Sequence, residues 1–80
     1  MATEYYLMAG DQVVDQVDVS TFDTGFFDLI REVKAALSNE AKEHFFLVDE
    51  YSMYPDEGEG FKADRCTDSV FNEIREAWLN

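Results

Sequence analysis

Two side chains have types suited to nucleophilic chemistry, Cys66 and His44, and they stand 22 positions apart. A nucleophile needs a base within reach and a third group to orient that base. Nothing local draws these two together. Cys66 precedes an expected helix start, where a thiol pKa can fall, but a lone free cysteine reads first as a small buried apolar residue. His44 reads as a cation closing a helix end. Structural zinc needs four Cys or His ligands, and the chain has one of each. Oxygen ligands for calcium are more plentiful. Even so, the run from Asp49 and Glu50 to Asp56, Glu57 and Glu59 lacks the alternating acids and closing glutamate of an EF-hand loop. It reads as a solvated hairpin tip. The four glycines, Gly10, Gly25, Gly58 and Gly60, do not make a phosphate-binding loop. No catalytic residue, metal site or cofactor is expected.

The chemistry that stands out is the carboxylate pattern. Eighteen acids face six lysines and arginines, a formal charge of −12 in 80 residues. The first thirty residues hold Glu4, Asp11, Asp15, Asp18, Asp23 and Asp28 and no Lys or Arg. Residues 49–59 hold five acids and no base. Alternate residues on a strand face lie ~6.6–6.8 Å apart, comparable to successive phosphates of a nucleic-acid strand. A fixed array of carboxylates can therefore engage the lysines and arginines of a groove built for phosphates. Tyr5, Tyr6, Tyr51 and Tyr54 lie among these acids, and tyrosine is a frequent interface anchor.

Charge of this sign argues against direct nucleic-acid binding and against an anionic membrane surface. No apolar run reaches the ~20 residues of a membrane span. The start MATEYYLMAG has neither a basic opening nor a long apolar region, so no signal peptide is expected. The lone cysteine suits a reducing compartment. The expected location is the cytoplasm, that of the host if the gene is phage-borne. Residues 1–80 are expected to form one small domain whose core rests on seven Phe, four Tyr and one Trp.

The elements that would position these acids follow from periodicity. Glu4 to Ala9 reads as a strand, Gly10-Asp11 as a hairpin turn and Gln12 to Val19 as a second strand. Asp15 interrupts the apolar side of that strand, which implies a sheet edge or a bulge. Phe22 to Leu37 carries a helical stripe of Phe22, Phe26, Leu29, Ile30, Val33, Ala36 and Leu37, and the chain is expected to organise around it. Its end falls near Ser38-Asn39, with a possible extra turn over 41–43. His44 to Tyr54 reads as a third strand and Glu59 to Arg65 as a weaker fourth. Thr67 or Asp68 caps a last helix whose face carries Val70, Ile74, Ala77 and Trp78. The expected fold is α+β in ββαββα order: a four-stranded antiparallel sheet with both helices on one face.

In size and charge the chain resembles the DNA-mimic inhibitors that phages and mobile elements deploy against CRISPR complexes, restriction enzymes or repair enzymes. That resemblance carries no motif and no residue roles. It implies a non-enzymatic inhibitor, an anti-CRISPR being one such type, that occupies a basic, nucleic-acid-binding protein surface. The expected contacts are Asp11, Asp15 and Asp18 on the first hairpin, with Asp49, Glu50, Asp56, Glu57, Glu59, Tyr51 and Tyr54 on the second. Alternatives are an immunity or antitoxin-type inhibitor of a basic toxin, a divalent-metal-binding regulator using the 49–59 acids, and an accessory subunit docking through Phe27, Phe71, Trp78 and Leu79. General solubility or a saline habitat would also explain acidity of this kind.

Overall fold

The computed structural model describes residues 3–55 and 58–79. Its centre is strand β1, Glu4–Ala9, with β2 (Gln12–Asp18) on one side and β3 (Phe45–Asp49) on the other. Both pairings are antiparallel. Leu7, Met8 and Ala9 are all fully buried. Successive strand residues point to opposite faces, so β1 is covered on both sides.

The fold is α+β with a three-stranded antiparallel sheet, not a four-stranded one in ββαββα order. Among the described residues, 59–67 form no strand. That stretch contains no β-branched residue before Thr67 and includes a glycine, Gly60, so it has little to recommend it to a pleated surface. The third strand is also shorter than expected. Asp49 Oδ1 accepts from the Ser52 N–H at 2.7 Å and starts a single helical turn, α3 (Glu50–Met53). The expected hairpin of third and fourth strands is replaced by direct pairing of β3 with β1.

The bulge and the edge implied by Asp15 are both present. Leu7 opposes Asp15 while Met8 opposes Val13, so Val14 is the extra residue. The offset turns Val14 toward the core and leaves Val13 exposed. Asp15 keeps its place opposite Leu7, where Oδ2 accepts from Trp78 Nε1 at 2.8 Å. A partly buried indole N–H is satisfied by such a partner.

Helix α1 spans Thr24–Ala36, capped by Asp23, whose Oδ1 accepts from the Phe26 N–H. Leu37 is extended, and the expected extra turn is a separate helix, α2 (Asn39–His44), capped by Ser38. Helix α4 is Asp68–Leu79, with Thr67 Oγ1 accepting from the Val70 N–H. Glu73 on α4 ties down the α1–α2 junction: its two oxygens accept from the Ser38 N–H at 2.6 Å and the Ser38 hydroxyl at 2.9 Å.

Leu7 and Ala9 cluster with Val33, Leu37, Ala41, Phe45, Cys66, Val70 and Ile74, which places α1, α2 and α4 over one sheet face. Segments after β3 cover the other face, where Tyr54 meets Tyr6 and Phe61 meets Phe46. The centre of the fold is therefore β1 with α4, and not the Phe22–Leu37 stretch. Only Val33 is buried within α1, while Phe27 and Leu29 are exposed.

Candidate functional site

The antiparallel register gathers charge at one end of the sheet. Glu4 opposes Asp18, and Tyr5 opposes Asp49. Glu50 follows Asp49 directly and folds back on the start of β1. Its Oε1 accepts from the Thr3 N–H at 2.7 Å, the Thr3 hydroxyl at 3.2 Å and the Glu4 N–H at 3.4 Å. Gln16 Nε2 donates to Glu4 Oε2 at 3.0 Å. Glu4, Asp18, Asp49 and Glu50 thus share one rim. Carboxylates placed directly opposite each other repel, and the sequence has no Lys or Arg in residues 1–30 or 43–61, the ranges from which the rim residues come.

Local hydrogen bonds favour the ionised form of two of these carboxylates, Asp18 and Glu50. Donation from Ser20, its backbone N–H first and its side chain second, holds the Asp18 carboxyl below the ordinary carboxylate range. Donation from the Thr3 N–H does the same for Glu50, against a smaller opposing effect of burial. Beside them Tyr6, Glu50, Tyr51, Tyr54 and Pro55 line a hollow of about 400 Å³. The Tyr6 and Tyr54 rings meet edge to face, centroids 5.7 Å apart. Burial, then the neighbouring Tyr54, Glu4 and Glu50, push the Tyr6 hydroxyl above its ordinary pKa. A second hollow, about 420 Å³, lies beside Phe46 and Phe61. Its lining mixes Glu43 and Asp64 with Lys62, so it presents no single sign of charge.

Only part of the expected contact set comes together. Asp18, Asp49, Glu50, Tyr51 and Tyr54 meet at the rim. Asp11 sits at the opposite end, in the turn after β1, a strand length of ~20 Å away. Asp15 turns to Trp78 on the helix side. Glu59 pairs with Lys62 at 3.1 Å. Asp56 and Glu57 lie outside the described residues. Two rim members, Glu4 and Tyr6, were missing from the expected set. Counting back from the Gly10-Asp11 turn would have placed Glu4 beside Val17 or Asp18, and the bulge decides between them.

The other candidates have structural roles. Cys66 is buried and its Sγ donates to the Ala9 carbonyl at 3.2 Å. Burial pushes its thiol pKa up, which disfavours the reactive thiolate. His44 is the last residue of α2, and its Nδ1 donates to the Glu40 carbonyl. Among the described residues no three His, Cys, Asp or Glu side chains converge as metal ligands. No helix among them is long and apolar enough to cross a membrane. Compared with known proteins, the chain matches no family model, no curated protein and no solved structure.

The depressed pKa of Glu50 has a measurable consequence. A carboxyl whose folded pKa lies below its unfolded value adds stability that is present above the unfolded pKa. That stability is lost as pH falls through the folded one. Glu50→Gln should therefore lower Tm at neutral pH. The gap from the parent should close as pH drops through and below about 4, the ordinary carboxylate range. Thermal melts across that range check it; a gap that stays constant with pH would mean the charge on Glu50 contributes nothing.

Proposed function

We propose that this chain is a small non-enzymatic binding protein that blocks a basic, nucleic-acid-binding groove of a partner protein, in the manner of phage or mobile-element inhibitors. The observation that supports this reading best is the rim. Glu4, Asp18, Asp49 and Glu50 share one end of the sheet beside Tyr6, Tyr51 and Tyr54, built by chain that contains no Lys or Arg. The capping bonds of Asp18 and Asp49 fix those carboxylates in place without neutralising them. Fixed anions lose little conformational freedom on binding. A cationic groove would relieve the mutual repulsion of Glu4 and Asp18, while the tyrosines supply apolar contact at the centre.

In this mechanism the charge steers the encounter and the rings hold the complex. The protein competes with nucleic acid for the same arginines and lysines. The test is displacement of a labelled duplex from purified basic nucleic-acid-binding complexes, such as restriction enzymes and CRISPR effectors, at low and high salt. We expect displacement from one such complex, with an association rate that falls steeply as salt screens the rim. Affinity indifferent to salt, or displacement from none of them, would sink the reading.

A further inference from the structure

The hollow beside the rim has the makings of a specific subsite. It is lined by Tyr6, Tyr51 and Tyr54 together with Glu50 and Pro55. All three hydrogen bonds of Glu50 fall on Oε1. Among the described residues Oε2 accepts no hydrogen bond, and the N-terminal amine also acts on this carboxylate through its charge. The Tyr6–Tyr54 edge-to-face contact is a corner, with two ring planes at 86°. A planar cation is attracted to a ring face, where the quadrupole is negative, and not to a ring edge, so only one of the two rings can stack on it. At about 400 Å³ the hollow is near the small end of ligand sites. That suits one side chain rather than a large cofactor.

We propose that the Tyr6–Tyr51–Tyr54–Glu50 hollow receives the guanidinium of a single arginine projecting from the partner. This rests on the proposed function above and names the group recognised. Aromatic faces attract cations, and guanidinium stacks on them better than ammonium does. It also presents paired N–H donors to a carboxylate, while a lysine acts as a strongly hydrated point charge. Burial is the first cause of the raised Tyr6 pKa, and Glu4 and Glu50 add to it with the sign of charge that a guanidinium favours. Tyr54 is 65% exposed, so its ring contributes little to the core and is free to serve contact.

The experiment titrates the isotope-labelled protein with three short peptides, identical but for one central residue: arginine, lysine or uncharged citrulline. The readout is the ring resonances of Tyr6, Tyr51 and Tyr54. The arginine peptide should shift them saturably, with affinity on the order of millimolar for one side chain. Lysine should bind several-fold more weakly and citrulline should leave the rings unmoved. Tyr54→Leu should weaken the arginine peptide several-fold while Tyr54→Phe retains it, because the ring face carries the contact. Equal response to arginine and citrulline, equal response to lysine, or silence from all three would overturn the assignment. The two proposals fail separately. Duplex displacement without peptide binding would remove only this subsite, and peptide binding without displacement would remove only the groove-blocking role.

Discussion

Gly10→Ala should remove a large part of the stability of this protein. Gly10 is buried at φ 61, in the left-handed region. A Cβ there would lie 2.6 Å from the Asp64 carbonyl oxygen and 3.0 Å from the Cys66 nitrogen. Both are backbone atoms, so neither can swing aside. The residue is also the point where three segments meet: its N–H donates to the His44 carbonyl at 2.7 Å, and Cys66 bonds to Ala9 next door. The left-handed conformation costs a non-glycine residue about 1–2 kcal/mol. Crowding in a packed site adds about 1–3 kcal/mol. Together this is about 2–5 kcal/mol, against an expected total of roughly 4–12 kcal/mol for a chain of this length. Urea denaturation of both proteins measures it, as a lower midpoint at similar slope. Gly58→Ala is the control. Gly58 has φ 85 but nothing within 4 Å of a Cβ, so it should bear the conformational cost alone. Equal losses at the two sites would mean that the connection from Asp64 to Cys66 does not press against the turn.

That crossing shows where the sequence stopped being readable. A hairpin is a local event, and Gly10-Asp11 between two apolar strands announces it. The misfit of Asp15 pointed to an edge or a bulge, and β2 has both. Helix α4 was readable for the same reason: Val70, Ile74, Ala77 and Trp78 recur on one face beside a capping Thr67. The fate of 50–67 was not local. Phe61 covers Phe46 and its N–H donates to the Ser52 carbonyl at 2.6 Å, so that stretch is held by what it packs on. Composition suggested a fourth strand where tertiary contact holds an irregular cover. The candidate site was half-readable for the same reason. Asp49, Glu50, Tyr51 and Tyr54 are neighbours in sequence. Glu4 and Tyr6 join them only because β3 pairs with β1.

The acidity itself divides into two kinds of work. Asp23 and Asp49 each accept a backbone N–H at the start of a helix, and Asp18 does so for a 3-10 turn over Val19–Thr21, where negative charge is favoured. Glu73 fixes the α1–α2 junction, Asp15 satisfies Trp78, and Asp28 pairs with Arg31. A share of the −12 charge is therefore explained by folding, without any partner. The rim is different. Glu4 and Asp18 face each other across a strand pair, where like charges are unfavourable, although a side-chain hydrogen bond between them works the other way on Asp18. A recognition role of the kind proposed above would account for that local cost, and general solubility would not.

Ile74→Ala should destabilise by about 2–5 kcal/mol, the usual cost of emptying a buried aliphatic site. Leu29→Ala should change stability by only about 0.5 kcal/mol, as exposed positions do. Both residues sit on helices and both belong to apolar stripes in the sequence. The difference is what the stripe meets. Ile74 is fully buried in the cluster that joins α4 to Leu7 and Ala9 of β1. Leu29 is 41% exposed on α1, whose main packing partner is α4 and not the sheet. A helical stripe shows that a face is apolar, but not that another element covers it. In α1 the coverage is confined to Val33, with Ile30 partly buried beside it and Phe26 set against Trp78 at 6.1 Å. The two midpoints in urea decide which element holds the fold together. If Leu29→Ala proved as damaging as Ile74→Ala, α1 would be a core helix and the rim would hang on a differently built sheet. If the costs separate as expected, β1 and α4 form the rigid frame. The rim carboxylates are then anchored to that frame through Glu4 and the Glu50 bonds to Thr3 and Glu4.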